Sequence, residues 1–233
     1  LDPITGVIYD PQDGRSDIEA NMVSFIGVPT SRIVEDPLRM LRFARFCARF
    51  DADAYYGAVN AITANCELIK LISPERIADE MTKVLTSPRA GDSILFLQQT
   101  GILQHILPEI YLLCQGDRCQ QYPDYHPEGN VLAHTCFMLN GLRNPDAELA
   151  WGVLLHDVAK PETYELQDDG RITNKAHAAV GASMSRRLLK RLKFSNDFID
   201  DVCALVKHHM DFSQLAQMKL STVKRMLARR TID

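Results

Sequence analysis

The sequence predicts a mainly α-helical protein with one short β element near its start, and three observations carry that expectation. Apolar residues recur at three- and four-residue spacing through most of the chain, the period of a single helix face. A cap residue followed by proline, a helix-start device, precedes two of the longer runs. Alternation with period two is confined to an opening segment and one later interruption.

Residues 3–10, Pro-Ile-Thr-Gly-Val-Ile-Tyr-Asp, read as β, with Val7 and Tyr9 alternating and a turn at Asp13-Gly14. Asp36-Pro37 then opens a helix, the carboxylate at the cap and the proline at the first helical position. On it Met40, Phe43, Ala44, Cys47 and Phe50 share one face, while Arg39, Arg42, Arg45 and Arg49 gather on the opposite one. Ser73-Pro74 repeats the device ahead of Ile77, Met81, Val84 and Leu85. Gly101 ends the following helix, and residues 102–108 form a short amphipathic piece. Gly116, Pro123, Pro127 and Gly129 mark residues 114–130 as a linker and domain boundary. A second helical block covers about 131–192. It is interrupted near 164–173, where Asp169-Gly170 between alternating segments predicts a hairpin. Ser195-Asn196 opens a further helix towards His209.

With 233 residues, 46% of them apolar, the chain can bury a core as one large domain or two small ones. A net charge of −4 and a pI near 6.0 exclude a global basic field, so any RNA contact must come from a local patch. Six cysteines without a CxxC pair read as reduced thiols of a cytoplasmic protein. No apolar run approaches the ~18 residues of a membrane span, so no membrane partner is expected. The chain starts at Leu1 and stops at Asp233, just after Val223-Lys224-Arg225-Met226-Leu227-Ala228-Arg229-Arg230, which reads as an unfinished helix. We therefore expect a fragment of a longer protein.

The chemistry centres on His156-Asp157. His134 lies upstream, and His177 and the His208-His209 pair lie downstream, so most of the seven histidines fall into one constellation. Imidazole and carboxylate suit a borderline divalent metal. Such a site lowers the pKa of a bound water and can hold a phosphoryl oxygen. This order resembles the HD superfamily of metal-dependent phosphohydrolases. The resemblance covers about residues 123–212 and implies a compact all-helical domain. It also implies His134, His156, Asp157, His177 and His209 as ligands of a divalent metal (Mn, Ni, Co, Fe, Zn or Mg). Asp157 and Lys160, one turn after the doublet, become the implied catalytic groups. The last aspartate of the signature stays open between Asp211, Asp200 and Asp201, and His208 is expected to face outward.

The arginine helix carries the second signal. As a charge pattern it reads as a solvated stripe or as a phosphate track. Glu35-Asp36-Pro37-Leu38-Arg39-Met40-Leu41-Arg42-Phe43-Ala44-Arg45-Phe46 resembles the neck motif of tRNA nucleotidyltransferases (CCA-adding enzymes) and the related poly(A) polymerases. In that family the Glu-Asp-x-x-Arg element reads the incoming nucleotide, so Asp36 and Arg39 would meet the base edge of CTP or ATP. Arg42, Arg45 and Arg49 would extend the nucleotide and RNA contact. Residues 2–18 are similar to the end of that family's catalytic head, and Ser73-Pro74-Glu75-Arg76-Ile77 to the start of its body. The implied organisation is a residual head at 1–19, a helical neck/body at 20–115, the HD domain at 123–212 and the start of a truncated tail at 213–233. The Gly-Ser turn and DxD pair that hold the family's catalytic Mg are missing. Asp51-Ala52-Asp53 matches by spelling alone, since it follows the arginine helix, and we read it as helix termination. The implied function is nucleotide choice and binding of tRNA or another RNA 3′ end within a nucleotidyltransferase. CCA addition and poly(A) synthesis are not separated. The rivals are a stand-alone HD phosphohydrolase acting on a nucleotide or cyclic phosphate, and a non-catalytic RNA-binding module with a structural metal.

Overall fold

The structure, a computed structural model, describes residues 2–121 and 129–211. Its opening departs from the expected strand. The Asp2 N–H donates to the Val7 carbonyl and the Gly6 N–H to the Asp2 carbonyl, both at 2.9 Å, closing residues 2–7 into a turn. A strand needs a neighbour for its N–H groups, and none lies beside residues 3–10 among the described residues; alternation alone does not supply one. The turn at Asp13 instead starts a short helix, α1 (Gly14–Glu19). The first strand is β1 (Met22–Val23).

Next comes α2 (Pro29–Glu35), with Pro29 at its first turn, a helix the sequence reading missed. It ends at Asp36, whose carboxylate accepts the Leu38 N–H at 3.3 Å. Asp36 thus closes one helix and shapes the turn into the next, so α3 (Arg39–Phe50) begins just beyond the Asp-Pro pair. Met40, Leu41, Phe43, Ala44 and Ala48 form its buried face. Phe50, on the same face by spacing, is exposed and stacks on Phe46. It sits on the last turn, where Asp51 (φ 51°) caps the helix and swings the chain into β2 (Asp53–Ala54), parallel to β1. Asp51 thus ends the helix, as the spelling-only DxD suggested.

α4 (Tyr56–Asn65) leads through a 3₁₀ turn to α5 (Pro74–Leu85), where the Ser73 hydroxyl accepts the Arg76 N–H and Pro74 takes the first position. α6 (Ala90–Gln99) stops before Gly101 (φ 79°), and α7 (Leu103–Ile106) and α8 (Pro108–Tyr111) make up the short amphipathic piece. Of the expected linker, residues 122–128 lie outside the described residues; its flanks are joined by a bridge between Gln120 and Asn130. α9 (Val131–Gly141) and α10 (Ala147–Leu155) follow, capped by the Asn130 and Asp146 side chains. The hairpin forms as β3 (Glu165–Leu166) against antiparallel β4 (Ile172–Thr173), with Gly170 at φ 81°. α11 (His177–Arg191) and the Ser195-capped α12 (Asn196–His208) complete the described chain. The tail expected at 213–233 lies outside it.

One continuous core joins the two halves, from Ile33 and Leu41 through Ile94 and Leu97 to Trp151, Leu188 and Val206. Three contacts fix the junction. At the crossing of α6 and α9 a Cβ on Gly91 would lie 2.1 Å from the Cys136 carbonyl oxygen, and the Gly91 N–H donates to Asn140 Oδ1 at 2.8 Å. The Trp151 indole N–H donates to Thr82 Oγ1 at 3.0 Å, linking α10 to α5. Arg191 forks onto both oxygens of Glu109 at 2.5 and 2.8 Å, linking α11 to α8. Burial raises the Glu109 pKa, but the Arg191 hydrogen bonds and charge outweigh it and hold the carboxyl below its ordinary value. A carboxylate depressed in the folded state contributes stability that is present above its unfolded pKa and lost as pH falls through the folded one. Glu109→Gln should therefore cost about 1 kcal/mol near neutrality, as a half-exposed charge-assisted fork does. The difference from wild type should vanish at pH values below the folded carboxyl's pKa, as read by urea denaturation across a pH series. A pH-independent difference would assign the loss to shape rather than charge.

Candidate metal centre and neck arginine cluster

Four histidines and one aspartate meet between α9, α10, α11 and α12. His134 is on α9, His156 and Asp157 follow directly on the end of α10, His177 is the first residue of α11, and His209 directly follows the end of α12. They form two potential ligand groups that share Asp157. His134, His156 and Asp157 make one, and Asp157, His177 and His209 the other; within each, the ligand atoms lie within 4.8 Å of one another. Asp157 Oδ2 faces His156 Nε2 at 3.1 Å, while Oδ1 faces His177 Nε2 at 3.4 Å and His209 Nε2 at 3.7 Å.

The tautomers can be worked out from the backbone. His156 Nδ1 lies 2.7 Å from the Val153 carbonyl, His177 Nδ1 2.7 Å from the Asn174 carbonyl, and His209 Nδ1 2.7 Å from the Val206 carbonyl. A carbonyl only accepts, so each Nδ1 carries a proton, and Nε2 is the atom each ring turns towards the centre of the cluster. His177 Nε2 and His209 Nε2 nevertheless face each other at 3.1 Å. At that distance the two atoms either share a proton or flank a cation. The ligand set, its tautomers and this juxtaposition all fit a divalent metal. Burial lowers the His209 pKa, which favours the neutral, ligating ring. Burial would raise the Asp157 carboxyl, but hydrogen bonding and charge from His156 and Lys160 hold it well below the usual carboxylate range. Lys160 Nζ donates to Asp157 Oδ2 at 2.8 Å and to Gln121 Oε1 at 2.6 Å. Over the cluster opens a cleft of ≈ 680 Å³, its remaining wall including Met138, Leu149, Leu205 and Met210.

Of the three candidate final aspartates, Asp211 bonds His208 Nδ1 at 2.8 Å and Asp200 bonds Arg186 at 2.6 Å. None of the three joins a ligand group among the described residues. His208 is turned to Asp211 rather than to the centre.

The neck arginines are not a uniform solvated stripe. Arg45 Nε lies 2.7 Å from Glu80, a carboxylate 2% exposed, and Arg42 Nε lies 3.6 Å from the same group. Arg42 also reaches Asp36 at 3.7 Å, and Arg76 Nη2 holds both Asp36 oxygens at 3.2 and 3.3 Å. Arg39 donates to the Arg32 carbonyl at 2.9 Å and to Glu35 at 2.8 Å, so Asp36 and Arg39 are engaged by different partners. Arg49 is exposed, its guanidinium 5.8 Å from the Phe50 ring. Sequence reading missed Arg76 and Glu80. The signal was there: the Ser73 cap fixes the helix register, and Glu80 falls among Ile77, Met81 and Val84 on an apolar face, where a charge needs a partner. It also missed Gln121, which no periodicity marks.

Two protein families match the chain, one in each half. The family described as probable RNA and SrmB-binding site of polymerase A matches residues 58–113, and the HD domain family matches residues 130–231. A multifunctional CCA protein of Halorhodospira halophila is 31% identical over 226 residues, covering 94% of this chain and 52% of its own length. An A-adding tRNA nucleotidyltransferase of Deinococcus radiodurans is 34% identical over 213 residues, covering 87% of this chain and 48% of its own. The chain thus spans about half the length of these curated relatives. In fold it is similar to a Bacillus stearothermophilus CCA-adding enzyme solved in complex with CTP, with TM-score 0.59 and 24% identity over 87% of this chain and 42% of that one. With its two family matches in this order and relatives along nearly its whole length, the chain belongs to the CCA-adding enzyme and poly(A) polymerase family, of which it carries the neck–body and HD part.

Proposed function

We propose that this chain selects nucleotides and binds RNA within a nucleotidyltransferase that extends RNA 3′ ends, with tRNA as partner, CTP and ATP as substrates, Mg as their metal, and the cytoplasm as its place of work. The observation that supports this most is relatedness over 94% of the chain to a multifunctional CCA protein. No helix among the described residues is long and apolar enough to cross a membrane. In this reading Asp36 accepts from a base edge and Arg39 donates to it. Asp36 then exchanges the Arg76 fork for the base, and Arg39 exchanges Glu35. Arg42 and Arg49 face the RNA, and Arg45, neutralised by buried Glu80, braces the helix that presents them. Nucleotide transfer itself needs carboxylates that this sequence does not offer after a Gly-Ser turn, so the purified chain should incorporate neither CTP nor ATP into tRNA. Robust incorporation would refute that division of labour. In the complete transferase, Arg39→Ala should lose about 1–3 kcal/mol of discrimination between base edges, about tenfold or more in misincorporation. Unchanged fidelity and KM would make Arg39 a structural partner of Glu35.

For the HD unit we propose a divalent metal held by His134, His156, Asp157, His177 and His209, serving hydrolysis of a phosphomonoester or 2′,3′-cyclic phosphate at an RNA 3′ end. Such an ion supplies a water of lowered pKa and a Lewis acid for a phosphoryl oxygen. The chain's own part is orientation: three carbonyls fix the imidazoles, and Asp157 is shared between the two groups. Lys160, with two of its three N–H bonds committed to Asp157 and Gln121, keeps one for a phosphate oxygen. The open cleft of ≈ 680 Å³ favours a reacting site over a purely structural ion, whose coordination would be closed.

A further inference from the structure

Five of the eight residues from 186 to 193 are basic (Arg186, Arg187, Lys190, Arg191 and Lys193), in a chain whose net charge is −4. They divide into two sets. Arg186 and Arg191 are spent inside the fold, on Asp200 of α12 and on Glu109 of α8. Arg187, Lys190 and Lys193 are exposed, and none lies within ion-pair distance of a described carboxylate, although the Arg187 charge is felt at Glu109. The neighbouring Asp197 and Asp201 on α12 make no ion pair with them either. Arg187 and Lys190 stand at i and i+3, about 5–6 Å apart at Cβ. Lys193, at φ 66°, follows two residues past the helix end. A favourable helix dipole accounts for cations in the last turn. It does not account for Arg187, which lies further in, nor for Lys193, which lies beyond the helix.

The place of this ridge matters. Arg191, on the same helix end, forks onto Glu109, and its Nη2 also donates to the Ile106 carbonyl at 3.4 Å. Both acceptors belong to residues 58–113, the segment matched by the RNA-binding family. Arg191 therefore ties this helix end to that segment, although the helix belongs to the HD unit in sequence.

We infer that Arg187, Lys190 and Lys193 form an RNA-backbone contact that carries the RNA surface from the body onto the HD unit. Exposed cations outside any ion pair, clustered at one helix end, meet phosphates without reading bases. The contact would be independent of sequence and sensitive to salt. This rests on the proposed RNA-binding role of the chain.

The test is filter binding of tRNA by the purified chain over a salt series. It compares wild type, the triple variant Arg187→Gln/Lys190→Gln/Lys193→Gln, and a control of equal charge change, Arg15→Gln/Arg143→Gln/Arg171→Gln. Removing one phosphate-binding cation should reduce the slope of log K against log salt by about one. The ridge variant should therefore bind about tenfold or more weakly at low salt, with a slope shallower by roughly two to three. The control should stay near wild type. Surface changes of this kind leave folding almost untouched, which a thermal melt verifies. A ridge variant that keeps wild-type affinity and slope overturns the inference while leaving the RNA-binding reading intact. Equal weakening in ridge and control variants overturns it too, because it would reflect net charge alone. Failure of wild type itself to bind tRNA at low salt would remove the RNA-binding reading and the ridge with it.

Discussion

Asp157→Ala should abolish divalent-metal binding at the HD cluster and any metal-dependent phosphohydrolysis with it. This carboxylate is common to both ligand groups, one oxygen facing His156 and the other facing His177 and His209. Losing even a group that only orients a ligand costs about 10–100-fold in metal affinity. Losing a shared ligand should cost more, with Mn, Ni and Co alike. The metal-free protein should suffer as well. The Lys160 side chain is 11% exposed and has Asp157 as its anionic partner. Removing one member of a buried ion pair leaves the other uncompensated, at about 3–5 kcal/mol. Calorimetric metal titration and chemical denaturation read the two effects separately. A variant that binds metal as wild type does would place the ion elsewhere. A variant that loses metal but keeps its stability would mean that Lys160 finds water or another anion.

Gly91→Ala should produce the second large effect, through packing alone. The added Cβ would meet the Cys136 carbonyl oxygen at 2.1 Å, its carbon at 2.7 Å and Asn140 Oδ1 at 2.9 Å. Two of these are backbone atoms of α9, so no side-chain rotation relieves the clash. Overpacking costs about 1–3 kcal/mol even where side chains can adjust, so a loss of about 3 kcal/mol or more is expected here. α9 also carries His134, two residues before Cys136. Forcing α9 away from α6 should therefore weaken metal binding from outside the cleft. Full stability for the variant would show that the helix crossing is looser than its glycine suggests.

What could be read from the sequence follows from how local each signal is. Ser73-Pro74, Ser195 and Asp169-Gly170 act within four residues of themselves, and the structure has a helix start or a hairpin at each. His134, His156, Asp157, His177 and His209 come together as their order implied. Residues 3–10 did not become a strand, because alternation carries no information about whether a partner strand exists. Phe50 shares the apolar face by spacing yet is exposed, because helical spacing says which face a residue takes, not where the core ends. The neck charges were legible only as a stripe. Their pairing with Glu80 and Arg76 spans 35 and 40 residues and depends on how α3 lies across α5. The three carbonyls that set the imidazole tautomers were equally hidden. Each lies three residues before its histidine, a relation that means nothing until the backbone there is known.

The most direct measurement is anomalous diffraction from crystals of the chain grown with Mn or Ni. An anomalous peak is expected between Asp157 and the Nε2 atoms of His156, His177 and His209, with His134 on the same side of the cleft. The peak should be absent in Asp157→Ala. No peak at the cluster in metal-loaded wild type, or a peak held by other residues, would contradict this metal centre.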